Sequence, residues 1–461
     1  MLKTLSVISL LMLFSACASF YEGTYEYNRQ FEEGNLEQAL KTLRSSSLYK
    51  RKHAEFLSYV NNGLLLSVMG QYEESNAYFE KAFVFGEDYR INYAREAASY
   101  LTNPTVTIYR GEDHEHLMLL YYKALNFLKM EKYEEALVEC RRLNIRLQQL
   151  ADRYTSEEKY RRDAFVHNLM GIIYQANGDW NNAFIAYRNA LEIYQDDYSK
   201  MFGILPPDQL KRDLLEAAYR TGFTDEYELF KNQFGWPDYK VNNRDADLVF
   251  FWHNGLGPVK DEWSVNFMIN RSGDQFVFFN EQLGLSYTFP VTDEDDRNSL
   301  SSIEFFRVAF PRYVERPPLY TGASINHNDT TYSLQLAEDI NRIAFKSLQE
   351  RMWLEFSKAL IRVALKKAAE HSARKEDESL GALIGMVNAM TEKADTRNWQ
   401  TLPHSILYSR IPMSEGPNKT VFELQLPGGG VEQQTFTYRA TKGQTLFHTF
   451  TSLESRPVRR Y

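Results

Sequence analysis

The chain has 461 residues, 44% apolar and 25% charged, and its length accommodates about two to four domains. This composition excludes a collagen-like chain, a largely disordered chain and a polytopic membrane protein. The formal net charge of −8 disfavours a nucleic-acid partner, because a mildly acidic surface repels polyphosphate.

The N-terminus has the features of an export signal that ends in a cysteine. Lys3 is followed by a mostly apolar stretch at 5–14, far shorter than the roughly 20 residues that cross a bilayer. Residues 13–17 resemble the lipobox of a bacterial lipoprotein signal, with Phe14 where the family usually has Leu. The resemblance implies that the peptide is removed and that Cys17 carries acyl chains. The alternative is an ordinary secretory signal with an incidental cysteine.

The residues around the acceptor cysteine indicate where the protein resides. No Asp follows Cys17, and by resemblance this favours the outer membrane over retention at the inner membrane. We therefore expect a protein anchored in the outer membrane through lipid on Cys17, facing the periplasm. The only other cysteine is Cys140, so a lipidated Cys17 leaves no intrachain disulfide and Cys140 is expected to be a free, buried thiol.

Four segments of the first half share one spacing of small and aromatic residues. The clearest copy places them at offsets of 7, 9, 12, 16 and 19 from its first residue: Gly171, Gly178, Trp180, Ala183, Tyr187 and Ala190. The copy that starts at Gly63 keeps all five offsets, the copy that starts at Ala124 keeps the last four, and a weaker copy surrounds Gly34. The pattern resembles the tetratricopeptide repeat, in which small residues let paired helices approach closely and an aromatic residue fills the groove between them.

The helical pattern ends near Trp236, after a predicted closing helix pair at 206–235. Apolar and β-branched runs then predict strands, at 247–252, 263–269, 275–279 and 303–314. A helical period begins at 334, and strands return at 404–411, 420–426, 433–440 and 443–450. The fold predicted is a tetratricopeptide-like helical solenoid followed by a β-rich α+β domain with an inserted helical hairpin.

These patterns divide the chain into five parts: a signal peptide at 1–16, an anchor linker at 17–24, the repeat domain at 25–235, the C-terminal domain at 240–455 and a basic tail at 456–461. Each of the two domains has its own apolar stripes, so we expect each to fold independently.

Two motifs of the C-terminal domain are distinctive. One spans 253–260 at the end of a predicted strand, and the other spans 394–403 between a helix and a strand. Together with the repeats and residues 138–142 they resemble a family of tetratricopeptide-repeat lipoproteins of Gram-negative bacteria, over about 25–412. That family has no assigned enzymatic activity. The resemblance implies a role in envelope assembly and supplies no catalytic residue.

Seven residues of the two motifs are the candidates for a partner-binding or structural role: His253, Asn254, Gly255, Lys260, Asp395, Arg397 and Trp399. The glycines of the first motif favour a tight turn at the exit of a strand. In the second motif, Asp395 and Arg397 are expected to bond loop backbone, while Trp399 fills the core of the C-terminal domain. The alternatives are a partner-binding loop, or base chemistry by His253 with Asp395.

The sequence provides little for catalysis. It has no nucleophile elbow, phosphate loop, zinc-ligand spacing or dinucleotide fingerprint, so we predict no catalytic, cofactor or metal residue. Residues 112–116, Glu-Asp-His-Glu-His, have the composition of a metal cluster but are interpreted as a solvated loop before the third repeat.

The function predicted is that of an adaptor or scaffold, because arrays of paired helices present a groove that takes peptides or helices. The partners expected are other envelope lipoproteins or secretion components. The alternative is an envelope enzyme, or an activator of cell-wall synthesis, that uses the C-terminal domain. A buried contact between His253 and Asp395 in a deep cleft would favour this alternative.

Overall fold

The computed structural model describes residues 20–88, 107–151, 160–272, 275–280, 285–290, 305–352 and 394–455. Cys17, the basic tail and most of the predicted helical insert at 353–393 lie outside the described residues. Nothing in the structure therefore bears on lipidation.

The first half of the chain consists of paired antiparallel helices. In its described part, ten helices of eight residues or more form five consecutive hairpins. Their bounds are α1 Tyr25–Glu32, α2 Leu36–Ser45, α3 Glu55–Val68, α4 Tyr72–Asp88, α5 Asp113–Lys129, α6 Tyr133–Ala151, α7 Ala164–Ala176, α8 Trp180–Ile193, α9 Asp208–Thr221 and α10 Thr224–Gln233. The helical solenoid and its closing helix pair are thereby confirmed.

The repeated glycines lie where two helices come into direct contact. A Cβ on Gly63 of α3 would lie 2.7 Å from the ring of Phe79 on α4, and one on Gly171 of α7 would lie 2.4 Å from the ring of Tyr187 on α8. No side-chain carbon fits at such distances, so each aromatic ring requires a glycine opposite it. This is the physical basis of the 16-residue offset between these pairs in the sequence.

The second half is built on strands. Twelve strands of the described residues form three four-stranded sheets. The strands are β1 Ala246–Asn254, β2 Val259–Ser272, β3 Gln275–Asn280, β4 Leu285–Pro290, β5 Phe305–Val314, β6 Gly322–His327, β7 Thr330–Ser333, β8 Gln335–Asp339, β9 Ser405–Met413, β10 Gly416–Gln425, β11 Val431–Ala440 and β12 Thr445–Ser452. The predicted β-rich character of this half is confirmed.

The sheets differ in strand order. The central sheet has the order β12–β1–β9–β8, the outer sheet β11–β10–β6–β7, and the third sheet β4–β3–β2–β5. Among the described strands, β1 and β12 pair in parallel, and the other neighbouring strands are antiparallel.

The predicted start of the helical insert is wrong. Residues 335–339 form β8, in which Leu336 pairs with Leu407 of β9, and the helix α11 begins only at Ile340. The spacing of Leu336, Ile340 and Ile343 fits one helical stripe, but pairing with a neighbouring strand overrides this local period. The described part of α11 covers 340–352.

The central sheet lies between the helices and the outer sheet. All nine residues of β1 are buried. The ring of Phe250 contacts Phe422 of the outer sheet at 4.9 Å between centroids, whereas Phe251 contacts Phe165 of α7 at 6.2 Å. Successive side chains of a strand point to opposite faces, so β1 supplies apolar residues to two cores.

One of these cores is continuous across the predicted domain boundary. Trp399, Tyr408 and Phe251 of the C-terminal half belong to the same apolar cluster as the helices. The second cluster lies between the central and outer sheets. The domain bounds themselves stay a prediction, but the two halves share a core. Within the described residues, no helix has the length and apolar content to span a membrane.

Candidate functional site

The seven candidate residues lie close to one surface, where the helices meet the central sheet and the loop at 394–403. We call this surface the joint and the 394–403 segment the plug loop. All seven residues have hydrogen bonds or ion pairs across the joint or within it. Segments that are separated by more than a hundred residues in sequence are thus brought together.

Trp399 fills the space between helices α4 and α5. Its ring lies 6.0 Å from that of Phe79 and 6.1 Å from that of Tyr122, and the residue is 1% exposed. Its indole N–H donates to Thr401 at 3.1 Å. The prediction that Trp399 fills a separate core of the C-terminal domain is therefore wrong, because both of its aromatic partners belong to the repeats.

Arg397 joins the plug loop to two segments of the repeat half. Its Nε and Nη2 donate to the Asp395 carboxylate at 2.8 and 2.7 Å, and its Nη1 donates to the carbonyls of His53 and Thr107, each at 2.8 Å. Burial favours a higher pKa for Asp395, but the adjacent guanidinium holds that pKa below its usual value. The pair was expected to bond loop backbone, and it does. The carbonyls that Arg397 binds belong to the repeat half of the chain.

His253 lies at the end of β1 against α5. Its Nε2 is 2.9 Å from the hydroxyl of Tyr121, and its ring contacts both Tyr121 and Tyr122. Burial, together with the smaller effect of the positive charge of Lys129, lowers the pKa of His253 to about 3. His253 is therefore a neutral imidazole packed among tyrosines, while Asp395 is paired with Arg397.

The residues after His253 form the predicted tight turn. Asn254 donates from Nδ2 to the carbonyl of Tyr320 at 3.1 Å. Gly255 has φ +61°, and a Cβ there would lie 3.0 Å from Pro318. The positive φ and the close contact both require glycine at this position.

The buried ammonium group of Lys260 forms an ion pair across the joint. Its Nζ pairs with the carboxylate of Glu112, which also pairs with Arg351 of α11 at 2.5 Å. The two cations hold the pKa of Glu112 below its usual value, at about 2, against the opposite effect of burial. Removal of Glu112 or of one of its cations would leave a buried charge without its partner. The cluster therefore strongly favours this one packing of the two halves of the chain.

The interpretation of 112–116 as a solvated loop is wrong. Glu112 caps α5, and its backbone N–H donates to the Glu115 side chain at 3.0 Å in a capping box. Four of the five residues are buried. Polar composition suggested exposure, but the compensating cations come from distant segments. Nowhere in the described ranges does a group of three or more His, Cys, Asp or Glu residues have a geometry that could hold a metal ion.

Two arginines at the joint are not indicated by any sequence motif. Arg410 of β9 donates from Nε to Asp213 of α9 at 2.9 Å. Arg316 donates from Nε to the carbonyl of Gly257 at 2.7 Å and pairs with Glu32 at the end of α1 at 3.2 Å. Arg410 lies within the strand predicted at 404–411. A charged residue in a mostly apolar strand is a sequence signal for a buried ion pair.

The joint occupies the inner face of the repeats. Helix α5 has 17 residues, of which 14 are buried, so it is surrounded by protein on nearly all sides. The groove that such an array would otherwise offer to a peptide is filled by the plug loop and the central sheet. A ligand could enter it only by displacing this part of the chain.

Comparison with known proteins finds resemblance in solved structures alone. No family model matches the chain, and no curated protein matches it. MamA from Desulfovibrio magneticus RS-1 is 16% identical, over 46% of this chain and 89% of that one, with a TM-score of 0.29. BtubC from P. vanneervenii is 16% identical, over 52% and 89%, with a TM-score of 0.32.

A third solved structure is described by its tetratricopeptide-like repeats. The tetratricopeptide-like repeats of a Podosopora anserina putative kinesin light chain are 14% identical, over 46% of this chain and 90% of that one, with a TM-score of 0.30. The class of the protein is a tetratricopeptide-like helical solenoid joined to a strand-rich C-terminal half. These matches do not indicate a function for this chain.

Proposed function

We propose that the chain is a lipid-anchored periplasmic adaptor that binds protein partners in cell-envelope assembly or secretion. The observation that carries the proposal is the array of five helix hairpins, an architecture that presents extended binding surfaces. The lipid anchor rests on the sequence around Cys17.

The inner face is occupied by the chain itself, so the proposal places partner binding on the outer helices. Helices α4, α6 and α8 each expose large apolar side chains there. Val138 and Ile145, both on α6, are 44% and 56% exposed. Since these residues lie seven positions apart, two helical turns separate them on one side of the helix.

The alternative function is an envelope enzyme or an activator of cell-wall synthesis that uses the C-terminal domain, and a buried contact between His253 and Asp395 would favour it. In the structure each of these side chains has a different partner, Tyr121 for His253 and Arg397 for Asp395. This arrangement supports the adaptor over the enzyme.

Site-specific photocrosslinking in intact cells tests the adaptor. A crosslinking residue at Val138 or Ile145 is expected to capture the same protein partner. The matched control is Val431 of β11, which is 52% exposed but lies in the outer sheet, and it should not capture that partner. Absence of any adduct from the repeats, together with turnover of a cell-wall substrate that is lost in His253→Ala, would overturn the proposal.

The lipid anchor is tested separately by metabolic labelling with a palmitate analogue. The wild-type protein is expected to incorporate label and the Cys17→Ser variant to lose it. Cys140→Ser is the control for a general effect of removing a thiol, because Cys140 is buried. Equal labelling of Cys17→Ser and wild type would refute lipidation without bearing on partner binding.

A further inference from the structure

The N-terminal end of the described chain is bound to the joint. It begins with Phe20 in a short helix, Phe20–Gly23. The backbone N–H of Phe20 donates to Oγ1 of Thr396 in the plug loop at 3.2 Å. The ring of Phe20 contacts that of Tyr49 edge to face, with 6.0 Å between centroids. Contacts with two separate segments therefore hold this end of the chain in place.

Two further residues extend the attachment. Asn28 of α1 donates from Nδ2 to Oε1 of Gln400 at 2.7 Å, and the hydroxyl oxygen of Thr24 lies 3.0 Å from the same acceptor. All three side chains are buried. The segment from residue 20 onward is thus part of the folded body, although 17–24 was predicted to be a linker.

A basic run lies beside this attachment. Residues 50–52, Lys-Arg-Lys, directly follow Tyr49, and all three are exposed. The carbonyl of His53, the next residue, accepts from Arg397 of the plug loop at 2.8 Å, so both ends of the run are held at the joint. The short helix contributes one exposed carboxylate, Glu22, against these three cations. The local charge is therefore positive, whereas the chain as a whole has a net charge of −8.

The distance from Cys17 to this surface is limited by the length of the chain between them. Three residues separate Cys17 from Phe20, and an extended chain spans at most about 3.6 Å per residue, or about 11 Å in all. This is close to the distance of about 8–10 Å over which charges act at ordinary salt concentrations. A lipid on Cys17 would therefore hold the surface around Phe20 next to the headgroups.

We propose that this surface, which we call the anchor face and define as Phe20, Tyr49 and residues 50–52, docks on the anionic headgroups of a phospholipid bilayer. The proposal rests on the lipid anchor of the proposed function and adds to it the side of the molecule that faces the membrane. Cationic side chains are attracted to anionic lipid, and such a patch assists an acyl chain in holding a protein at the bilayer. Without it, a bilayer of negative charge would repel a chain of net charge −8.

A synthetic anchor tests the anchor face whether or not cells attach lipid to Cys17. The mature chain, 17–461, is purified without its signal peptide and coupled at the Cys17 thiol to one acyl chain of myristoyl length. Cys140 is buried and does not compete for the reagent. One such chain gives only weak, reversible membrane binding, so an added attraction is measurable.

Sedimentation compares vesicles of phosphatidylcholine with vesicles that also contain phosphatidylglycerol. We expect about tenfold or more tighter binding to the anionic vesicles at low salt, because each of the three cations contributes to the attraction. The difference should shrink at high salt, which screens exposed charges. Equal binding to the two kinds of vesicle at low salt would overturn the proposal.

A variant locates the attraction. Its three substitutions are Lys50→Gln, Arg51→Gln and Lys52→Gln. Because these side chains are exposed, the fold should persist, and we expect the preference for anionic vesicles to be lost.

The matched control removes the same charge from exposed positions in and beside the outer sheet. Its three substitutions are Lys419→Gln, Arg439→Gln and Lys442→Gln. The control should keep the preference for anionic vesicles. A preference that survives in the variant at 50–52, or equal losses in both proteins, would contradict docking through the anchor face. Palmitate labelling in cells decides the natural lipid anchor separately and leaves this outcome unaffected.

Discussion

Arg410 of β9 and Asp213 of α9 form a buried ion pair, with 2.9 Å between Nε and Oδ1. Their side chains are 4% and 1% exposed. One residue belongs to the central sheet and the other to the closing helix pair, so the bond links the two halves of the chain. Arg410 also donates to Gln175 of α7 at 3.1 Å, which extends the link to a second helix.

The first prediction concerns this pair. Arg410→Met keeps an unbranched apolar stem but removes the guanidinium, so it leaves Asp213 buried without its cation. We expect a loss of about 3–5 kcal/mol in the free energy of unfolding, measured by urea denaturation. Arg312→Met is the control, because Arg312 pairs with Asp261 at the surface, where about 1 kcal/mol or less is expected.

A double variant separates the ion pair from packing. Arg410→Met with Asp213→Leu removes both charges, so its loss should be smaller than that of the two single variants added together. If Arg410→Met is no more destabilised than Arg312→Met, the buried pair does not stabilise the joint.

The second prediction concerns Trp399. Truncation to Ala removes a buried indole and should lower the free energy of unfolding by about 3–5 kcal/mol. Because the indole packs on Phe79 and Tyr122 of the repeats, we expect the helical signal at the far-ultraviolet helix band to melt at a lower temperature. Trp236→Ala is the control, because that ring is only partly buried. A helical transition at the wild-type temperature in Trp399→Ala would show that the repeats do not depend on the plug loop.

The third prediction concerns the two halves as fragments. The sequence predicts that 18–235 and 240–461 fold separately, but the structure gives the opposite expectation. The shared core would be exposed in each fragment, along with buried charges such as Lys260 and Asp213. We expect each fragment alone to lack a cooperative denaturation transition, and an equimolar mixture to regain one. Sharp transitions for the separate fragments would establish two independent domains.

The repeats could be predicted because their determinants are local. Gly171 and Tyr187 contact each other within one helix hairpin, so their fixed spacing can be recognised in the sequence. The joint could not be predicted in the same way. Trp399 is far in sequence from Phe79 and Tyr122, and no pattern in a single chain records which side chains meet over such a separation.

The environment of residues 112–116 was predicted wrongly for a related reason. Its polar residues resemble a solvated loop until the cations that compensate them are known. Those cations are Lys260, on β2, and Arg351, on α11. Burial of charge depends on partners that tertiary structure supplies, so composition alone predicted the wrong environment.

The fourth prediction concerns the thiol of Cys140. The residue is 1% exposed, and burial raises the pKa of the thiol, so little reactive thiolate is present. We expect no reaction with a thiol reagent in the folded protein and full reaction in urea. The Cys17→Ser background removes the other cysteine and serves for this measurement. Rapid labelling of the folded protein would show that α6 opens around Cys140.

The fifth prediction is a dependence of stability on pH that arises from His253. Burial lowers its pKa from 6.5 to about 3 in the folded protein, so between these values only the unfolded chain takes up the proton. Stability should therefore fall as the pH falls below 6.5, by at most about 1.4 kcal/mol per pH unit for this group. His253→Gln cannot titrate, and its amide can still bond to Tyr121. Urea denaturation between pH 8 and pH 5 should show that the variant loses less stability than wild type, by about 2 kcal/mol at pH 5. The other histidines are the same in both proteins, so the difference between the two curves isolates His253. A difference that stays constant across this range would show that His253 does not contribute to the acid sensitivity.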